Sequence, residues 1–352
     1  MTNWLSSMQQ TFEYYIVDPG TWKDAKRLDN VISCTINRDL SAETLGSATI
    51  GMTESLGECY IRVYLITIQN GVRERHPLGT FLVQTPTSSF DGKIRNVLTD
   101  AYTPLIELKE DRPVVGYYIP KKENVMDYVY RLTREHARAP VARTECSTDL
   151  FSDFVANTDD TWLSFINDLA ANAKYKATLD DLGRILFSPK QDLASLQPIW
   201  TYSDDNSSIL YPDLSMDHDM YGIPNVVEVT YSDANEYYHA RVVNDDPNSP
   251  ISTVNRGREI PYRETNPSVL GDPTNDQVQT YAARLLKELS TVEYTVTYTH
   301  GYCPVRLGDC VRLDYKRGQL TGVKAKVISQ TIKCEPGCPV TETAAFTSKL
   351  WR

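Results

Sequence analysis

Apolar and polar positions alternate over much of the first hundred residues. The run Tyr60-Ile61-Arg62-Val63-Tyr64-Leu65-Ile66-Thr67-Ile68 is built from β-branched and aromatic residues, and Val31 to Ile36 form a shorter strand of the same kind. Asn70-Gly71 follows the longer run, and a type I′ turn needs positive φ at both central residues, so a two-residue hairpin is predicted there. Its return strand passes Pro77 into a first cassette, Leu78-Gly79-Thr80-Phe81-Leu82-Val83, which turns at Asp91-Gly92 towards Lys93. Near the other end a similar cassette reads Leu307-Gly308-Asp309-Cys310-Val311-Arg312-Leu313, a turn ending at Gly322, then the alternating run from Ala325 to Ile332.

Between the cassettes the period changes to that of helices. Val125, Met126, Val129 and Leu132, with Tyr128 alongside, predict an amphipathic helix over 123–137. Behind a cap at Asp159 or Asp160, the residues Trp162, Phe165, Ile166, Leu169, Ala170 and Ala173 fall on one face of a second helix. A hairpin turning at Asp180-Asp181-Leu182-Gly183 comes next, so 160–187 is expected to pack as a separately folding module. Residues 191–221 read as a loop-heavy connection, and Ile223 to Tyr231 resume strand character. Polar breakers fill 244–250 and 265–275. A third helix follows, with Val278, Tyr281, Ala282, Leu285, Leu286 and Leu289 on its apolar face. The last sixty residues read as strands with a tight turn at Glu335-Pro336-Gly337. The fold class expected is α+β, mainly β.

Composition narrows the function. The chain has 352 residues, 46 acidic against 36 basic, and a formal charge of −10 without basic clusters. Stable nucleic-acid binding needs clustered Lys and Arg to displace counterions, so it is disfavoured. Residues 1–18 have no secretory pattern and no stretch suits a membrane span, so a soluble chain with mostly reduced cysteines is expected.

Candidate chemistry is sparse. The histidines 76, 136, 218, 239 and 300 stand in no metal-protease, deaminase or nucleophile-elbow motif. Glu135-His136 reads as a solvated pair at a helix end, and Asp217-His218-Asp219 as a loop. The carboxylate pairs Asp159-Asp160, Asp180-Asp181 and Asp204-Asp205 suit glycosidase work on paper, but sit where Asp serves caps and turns. Cys303, Cys310, Cys334 and Cys338 fall in the last segment; four thiolates from two turns is how zinc or an iron–sulfur cluster is held. Their C-x6-C and C-x3-C spacings are not those of zinc knuckles, so they are read as small buried hydrophobes. No catalytic, cofactor or metal residue is assigned.

The order of these segments resembles that of the hub proteins of bacteriophage tails and related contractile machines. The residues carrying the resemblance are Pro77 to Val83, the helix–hairpin of 161–189, Ile223-Pro224-Asn225-Val226, the helix of 277–288 and Pro304-Val305-Arg306-Leu307-Gly308-Asp309. The resemblance implies two similar tube-type β-barrels with α+β domains inserted between them. The expected division is 1–110 plus about 191–222 for the first barrel, 111–190 and 223–292 for the inserted modules, and 293–352 for the second barrel.

In such a family three chains of two barrels form a pseudo-six-fold ring joining a hexameric tail tube to a central spike and letting DNA pass. The partners implied are two further copies of the chain, a tail tube or distal tail protein above, a spike or tip protein below, and a wedge or tape-measure protein. The location implied is the virion tail, assembled in the host cytoplasm. Gly79 should then match Gly308, and the turn at Gly92 the turn at Gly322, across roughly 60° of rotation. Acidic residues should line the lumen. Two other readings stay open here, a tail-associated peptidoglycan hydrolase or peptidase and a cellular β-rich binding module. A chain ending at Arg352 is expected to carry no hydrolase segment.

Overall fold

The computed structural model describes residues 2–92, 94–205, 208–232, 236–267 and 273–351. Lys93, expected in the first turn, lies outside them. The fold is mainly β. In chain order it comprises β1 (Gln9–Asp18), β2 (Lys23–Leu28), β3 (Val31–Asp39), β4 (Gly46–Met52), β5 (Tyr60–Gln69), β6 (Val72–Asp91), β7 (Ile94–Tyr102), α1 (Ile106–Glu110), β8 (Tyr118–Ile119), α2 (Val125–His136), β9 (Phe154–Val155), α3 (Trp162–Asn172), β10 (Tyr175–Leu179) and β11 (Ile185–Pro189). Then come β12 (Trp200–Ser203), β13 (Leu210–His218), β14 (Val226–Ser232), β15 (Tyr237–Val243), α4 (Thr253–Arg256), β16 (Pro261–Thr265), α5 (Asn275–Leu289), β17 (Thr291–Gly301), β18 (Cys310–Tyr315), β19 (Leu320–Lys333) and β20 (Pro339–Lys349). Among the described residues no helix is long and apolar enough to cross a membrane.

The chain divides into two compact units, 1–214 with 298–344, and 215–297 with 345–352. In the smaller unit β14 pairs antiparallel with β15 and parallel with β16. Val278, Ala282 and Leu286 of α5 close over Val227, Val229 and Ala240. The helix starts at a capping box in which Thr274 and Gln277 exchange side-chain and backbone bonds.

The strand order is that of a duplication. One set runs β1-β5-β6-β7-β4-β3, and the other runs β12-β18-β19-β20-β17-β13. In chain order the six strands of each set occupy the same places in the sheet. The pair β1–β5 is antiparallel whereas its counterpart β12–β18 is parallel. The sets join where β3 pairs antiparallel with β19, from Asp39↔Ser329 to Thr35↔Lys333.

Asn70 (φ 52°) and Gly71 (φ 77°) make the predicted hairpin turn between Gln69 and Val72. The two cassettes, in contrast, are displaced by one hairpin. Leu78-Gly79 does not enter a strand but interrupts the twenty-residue β6: the ladder steps from Val63↔Gly79 to Tyr64↔Pro77, leaving Leu78 as a bulge. Gly308 lies before β18, the counterpart of β5, so it does not match Gly79. The turn after β18 closes on Gln319 (φ 60°), while Gly322 sits within β19 at a second bulge. By strand order the Asn70-Gly71 turn corresponds to that of 316–319, and the Asp91-Gly92 turn to Glu335-Pro336-Gly337.

Two further expectations are corrected. Strands β12 and β13, from the 191–222 connection expected to complete the first barrel, pair with β18 and β17 of the second set. The helix–hairpin segment is not separately cored. Phe165, Ile166 and Leu169 of α3 and Val129 and Leu132 of α2 share one buried cluster with Val17, Trp22, Tyr60 and Leu82 of the first strand set. Burial of each such side chain contributes about 1.5–3 kcal/mol, which ties module and sheet into one cooperative body. The cap of α3 is Thr161, boxed with Ser164, rather than Asp159 or Asp160.

Candidate functional site

Beneath the β3–β19 junction lies a buried polar network. Glu342 of β20 is in phase with Val340 and Ala344, so strand alternation points it inward, and it is fully buried. It accepts from Tyr298 Oη (2.5 Å) and Gln330 Nε2 (2.7 Å), and faces His300 Nε2 at 3.6 Å. His300 bonds through Nδ1 to the Gly301 carbonyl (2.7 Å) and through Nε2 to Tyr202 Oη (3.1 Å). Tyr202 also touches Cys303 Sγ (3.3 Å).

Burial alone would push His300 down in pKa. Its contacts with Cys303 and Glu342 outweigh that and push it up to about 10, the form in which both ring nitrogens carry protons. Burial, followed by the Glu342 charge, holds Tyr202 and Tyr298 well above the ordinary phenol range.

The network crosses into the first strand set. Gln330 donates also to the Val305 carbonyl (3.0 Å) and accepts from Arg38 Nη1 (3.1 Å). Arg38 Nη2 donates to the Leu78 carbonyl at 2.6 Å. The bulge at Leu78 frees that carbonyl from the regular ladder. One hydrogen-bonded path thus runs from β20 through β19 and β3 to β6.

A second polar cluster fastens the β10–β11 turn to the first strand set. Asp180 Oδ1 accepts from the backbone N–H of Leu182 (3.0 Å) and Arg184 (2.8 Å), which shapes the turn. The Leu182 carbonyl then accepts from Trp22 Nε1 (2.8 Å), Thr80 Oγ1 (2.9 Å) and Arg62 Nη2 (3.2 Å). Arg62 is buried and donates further to Thr80 Oγ1 (2.8 Å), Asp24 Oδ1 (3.0 Å) and the Trp22 carbonyl (3.2 Å). Gly183 permits the approach: a Cβ there would meet Thr80 Cβ at 2.7 Å, and its φ is +75°.

Asp181 pairs with Arg306 and, at 3.7 Å, with Arg38. Around these pairs opens a cavity of about 470 Å³ lined by arginines 38, 184 and 306 and aspartates 180, 181 and 309. Burial raises the Asp309 carboxyl above its usual range. Among the described residues the lining has no histidine or cysteine.

The residues singled out by sequence are dispersed. Cys334 and Cys338 lie beside Cys34, whose carbonyl accepts from the Cys334 N–H (2.9 Å). Cys303 stands with Tyr202 and His300, and Cys310 is elsewhere. Among the described residues no group of three or more His, Cys, Asp or Glu could hold a metal ion. His136 is not a solvated partner of Glu135, because it stacks on Trp162 (4.2 Å, 22°) and meets Asp111 Oδ2 through Nδ1 at 2.7 Å. His218 stacks on Tyr294 at 4.8 Å. Asp160 accepts from the Asn157 N–H (2.7 Å) and from Ser164 Oγ (3.2 Å), which holds the turn just before α3. Asp204 accepts weakly from the Arg317 N–H at 3.4 Å, and Ser203 Oγ donates to Asp205 at 2.8 Å.

Arg38, Arg62, Gln330 and Glu342 carry the two networks, and sequence reading passed over them. Their signal is a polar residue in phase with buried apolar ones, as Glu342 is with Val340 and Ala344, and Gln330 with Ile332.

No family model and no curated protein matches the chain. Solved structures do. The chain's fold is that of tail proteins, one of them from a prophage, and of a chain in a PdpA–VgrG complex. It aligns over 97% of its length with 98% of the tail protein from Neisseria meningitidis MC58, at a TM-score of 0.62 and 12% identity. It aligns over 95% of its length with 98% of the 43 kDa tail protein of prophage MuSo2 from Shewanella oneidensis, at 0.59 and 12%. A chain of the Francisella PdpA–VgrG complex aligns over 97% of this chain and 53% of its own, at 0.55 and 7%.

Proposed function

We propose that this protein is the structural hub of a phage-type tail, a non-enzymatic component of the virion that assembles as a trimer around the tail axis. One observation carries the reading: a single chain holds two six-strand sets of the same strand order. Three such chains present six similar units, which is what a ring needs to sit against a six-fold tube above and a three-fold spike below. The two sets are read as tube-type barrels, with 111–190 and 223–292 as the modules inserted between them. The likeness to tail proteins over nearly the whole chain supports the same role.

The buried networks fit a part whose task is rigidity. Arg38, Gln330 and Glu342 brace the joint between the two sets, so that their relative rotation is fixed within one polypeptide. The charge of −10 suits a ring through which DNA slides, since carboxylates repel phosphate. Native mass spectrometry and particle imaging test the reading. A trimer with three-fold symmetry is expected, and a stable monomer in the mature particle or a six-fold ring of this chain overturns it.

A further inference from the structure

Within the chain, β3 of the first strand set pairs with β19 of the second. By strand order the counterpart of β3 is β13, and the counterpart of β19 is β6. The chain therefore holds one copy of a junction whose second copy, β13 against β6, is unmade. Building on the ring reading above, we propose that the exposed edge of β13 in one copy adds antiparallel to the free edge of β6 in a second copy, repeating between chains the ladder that β3 and β19 make within one.

The stretch of β6 follows by counting. On β19 the ladder with β18 ends at Lys326, and pairing with β3 begins three residues later at Ser329. On β6 the ladder with β5 ends at Leu82, so the corresponding stretch is 85–89. There β6 pairs with β7 on one side, as in Ser88↔Val97. Beyond the bond from the Val83 N–H to the Cys59 carbonyl (2.9 Å), no strand among the described residues takes its other side.

Residues 86–90 are exposed, Phe90 at 73%, and Leu98 on the facing strand at 52%. β13 stands at the end of its strand path and is exposed along most of its length, with Tyr211 outward. The Tyr315 hydroxyl rests on its Pro212 carbonyl (3.2 Å), one contact that pairing displaces. Another free edge, β2, carries Lys23, Lys26 and Arg27, the charged guard that keeps an edge unpaired. From Pro86 to Phe90 the β6 edge has no charged residue. An uncharged, exposed edge and an equivalent junction already formed in the same chain make a second copy the occupant.

Paired cysteines test this. Ser88→Cys is combined in turn with Asp213→Cys, Leu214→Cys and Ser215→Cys in the full chain and oxidised with copper–phenanthroline, with each single variant as background; the sixth position of β3, opposite Ile332, corresponds to Ser215 of β13. At least one double variant should give a covalent ladder ending at trimer, absent from its singles. If native mass shows a trimer while none of the three pairs cross-links, the proposed edge is wrong and the ring closes through another surface. A protein that stays monomeric in native mass overturns the ring reading itself, and this interface with it.

Discussion

Replacing Glu342 with Gln tests whether the polar network under the junction braces the fold. Glu342 is fully buried and is the carboxylate facing His300 Nε2 at 3.6 Å. The variant keeps the size of the side chain. It retains an acceptor for Tyr298, but sets an amide against the Gln330 Nε2 that now donates at 2.7 Å. Removing one partner of a buried, hydrogen-bonded charge pair costs about 3–5 kcal/mol.

The loss should depend on pH, with a sign fixed by His300. Its folded pKa of about 10 lies above the unfolded value near 6.5, so its contribution is complete below about pH 6.5 and vanishes as pH rises through 10. Glu342→Gln removes a principal cause of that shift, so the gap between wild type and variant should narrow from pH 6.5 to 10. Buried Cys34 and Cys338, whose thiols are also pushed up, destabilise both proteins alike in the upper part of the window and cancel in the difference. Urea unfolding followed by tryptophan fluorescence across that range measures the gap. A loss under about 1 kcal/mol, or one that does not change with pH, refutes the bracing argument.

Other perturbations probe the rest of the frame. Phe165→Ala, in the core shared by α3 and the first strand set, should cost about 3–5 kcal/mol in denaturant unfolding, and a loss under about 1 would mean the helix face is not packed. Gly183→Ala drives a Cβ to 2.7 Å from Thr80 Cβ and should destabilise clearly more than Gly71→Ala, which has a similar positive φ but open space; equal losses would show that backbone strain alone decides both. Replacing Cys334 and Cys338 with Ala should leave the assembly intact by native mass, and metal analysis of the unmodified protein should find no stoichiometric zinc or iron. Metal near one equivalent overturns that expectation.

Local chemistry by itself determined a good deal of this protein. Asn70-Gly71 accepts the positive φ of a type I′ turn at little cost, and the spacing of Trp162, Phe165, Ile166 and Leu169 makes an apolar stripe in any helix. Those elements were legible because their causes lie within a few residues. The order of strands and helices along the chain was legible too, and with it the likeness to tail proteins. Leu78-Gly79 and Leu307-Gly308 look alike in sequence yet do different work, a bulge within β6 and a turn before β18, because a bulge exists only relative to the neighbouring strand.

The same holds for the junction and its network. Arg38, Gln330 and Glu342 lie on three strands far apart in sequence, and only the β3–β19 ladder brings them together. A buried charge is tolerated when distant partners satisfy it, so its role is set by long-range pairing that no local pattern encodes. The duplication was visible in sequence only as two short, misaligned cassettes. Strand order, which depends on which edges meet, is what aligned the two halves.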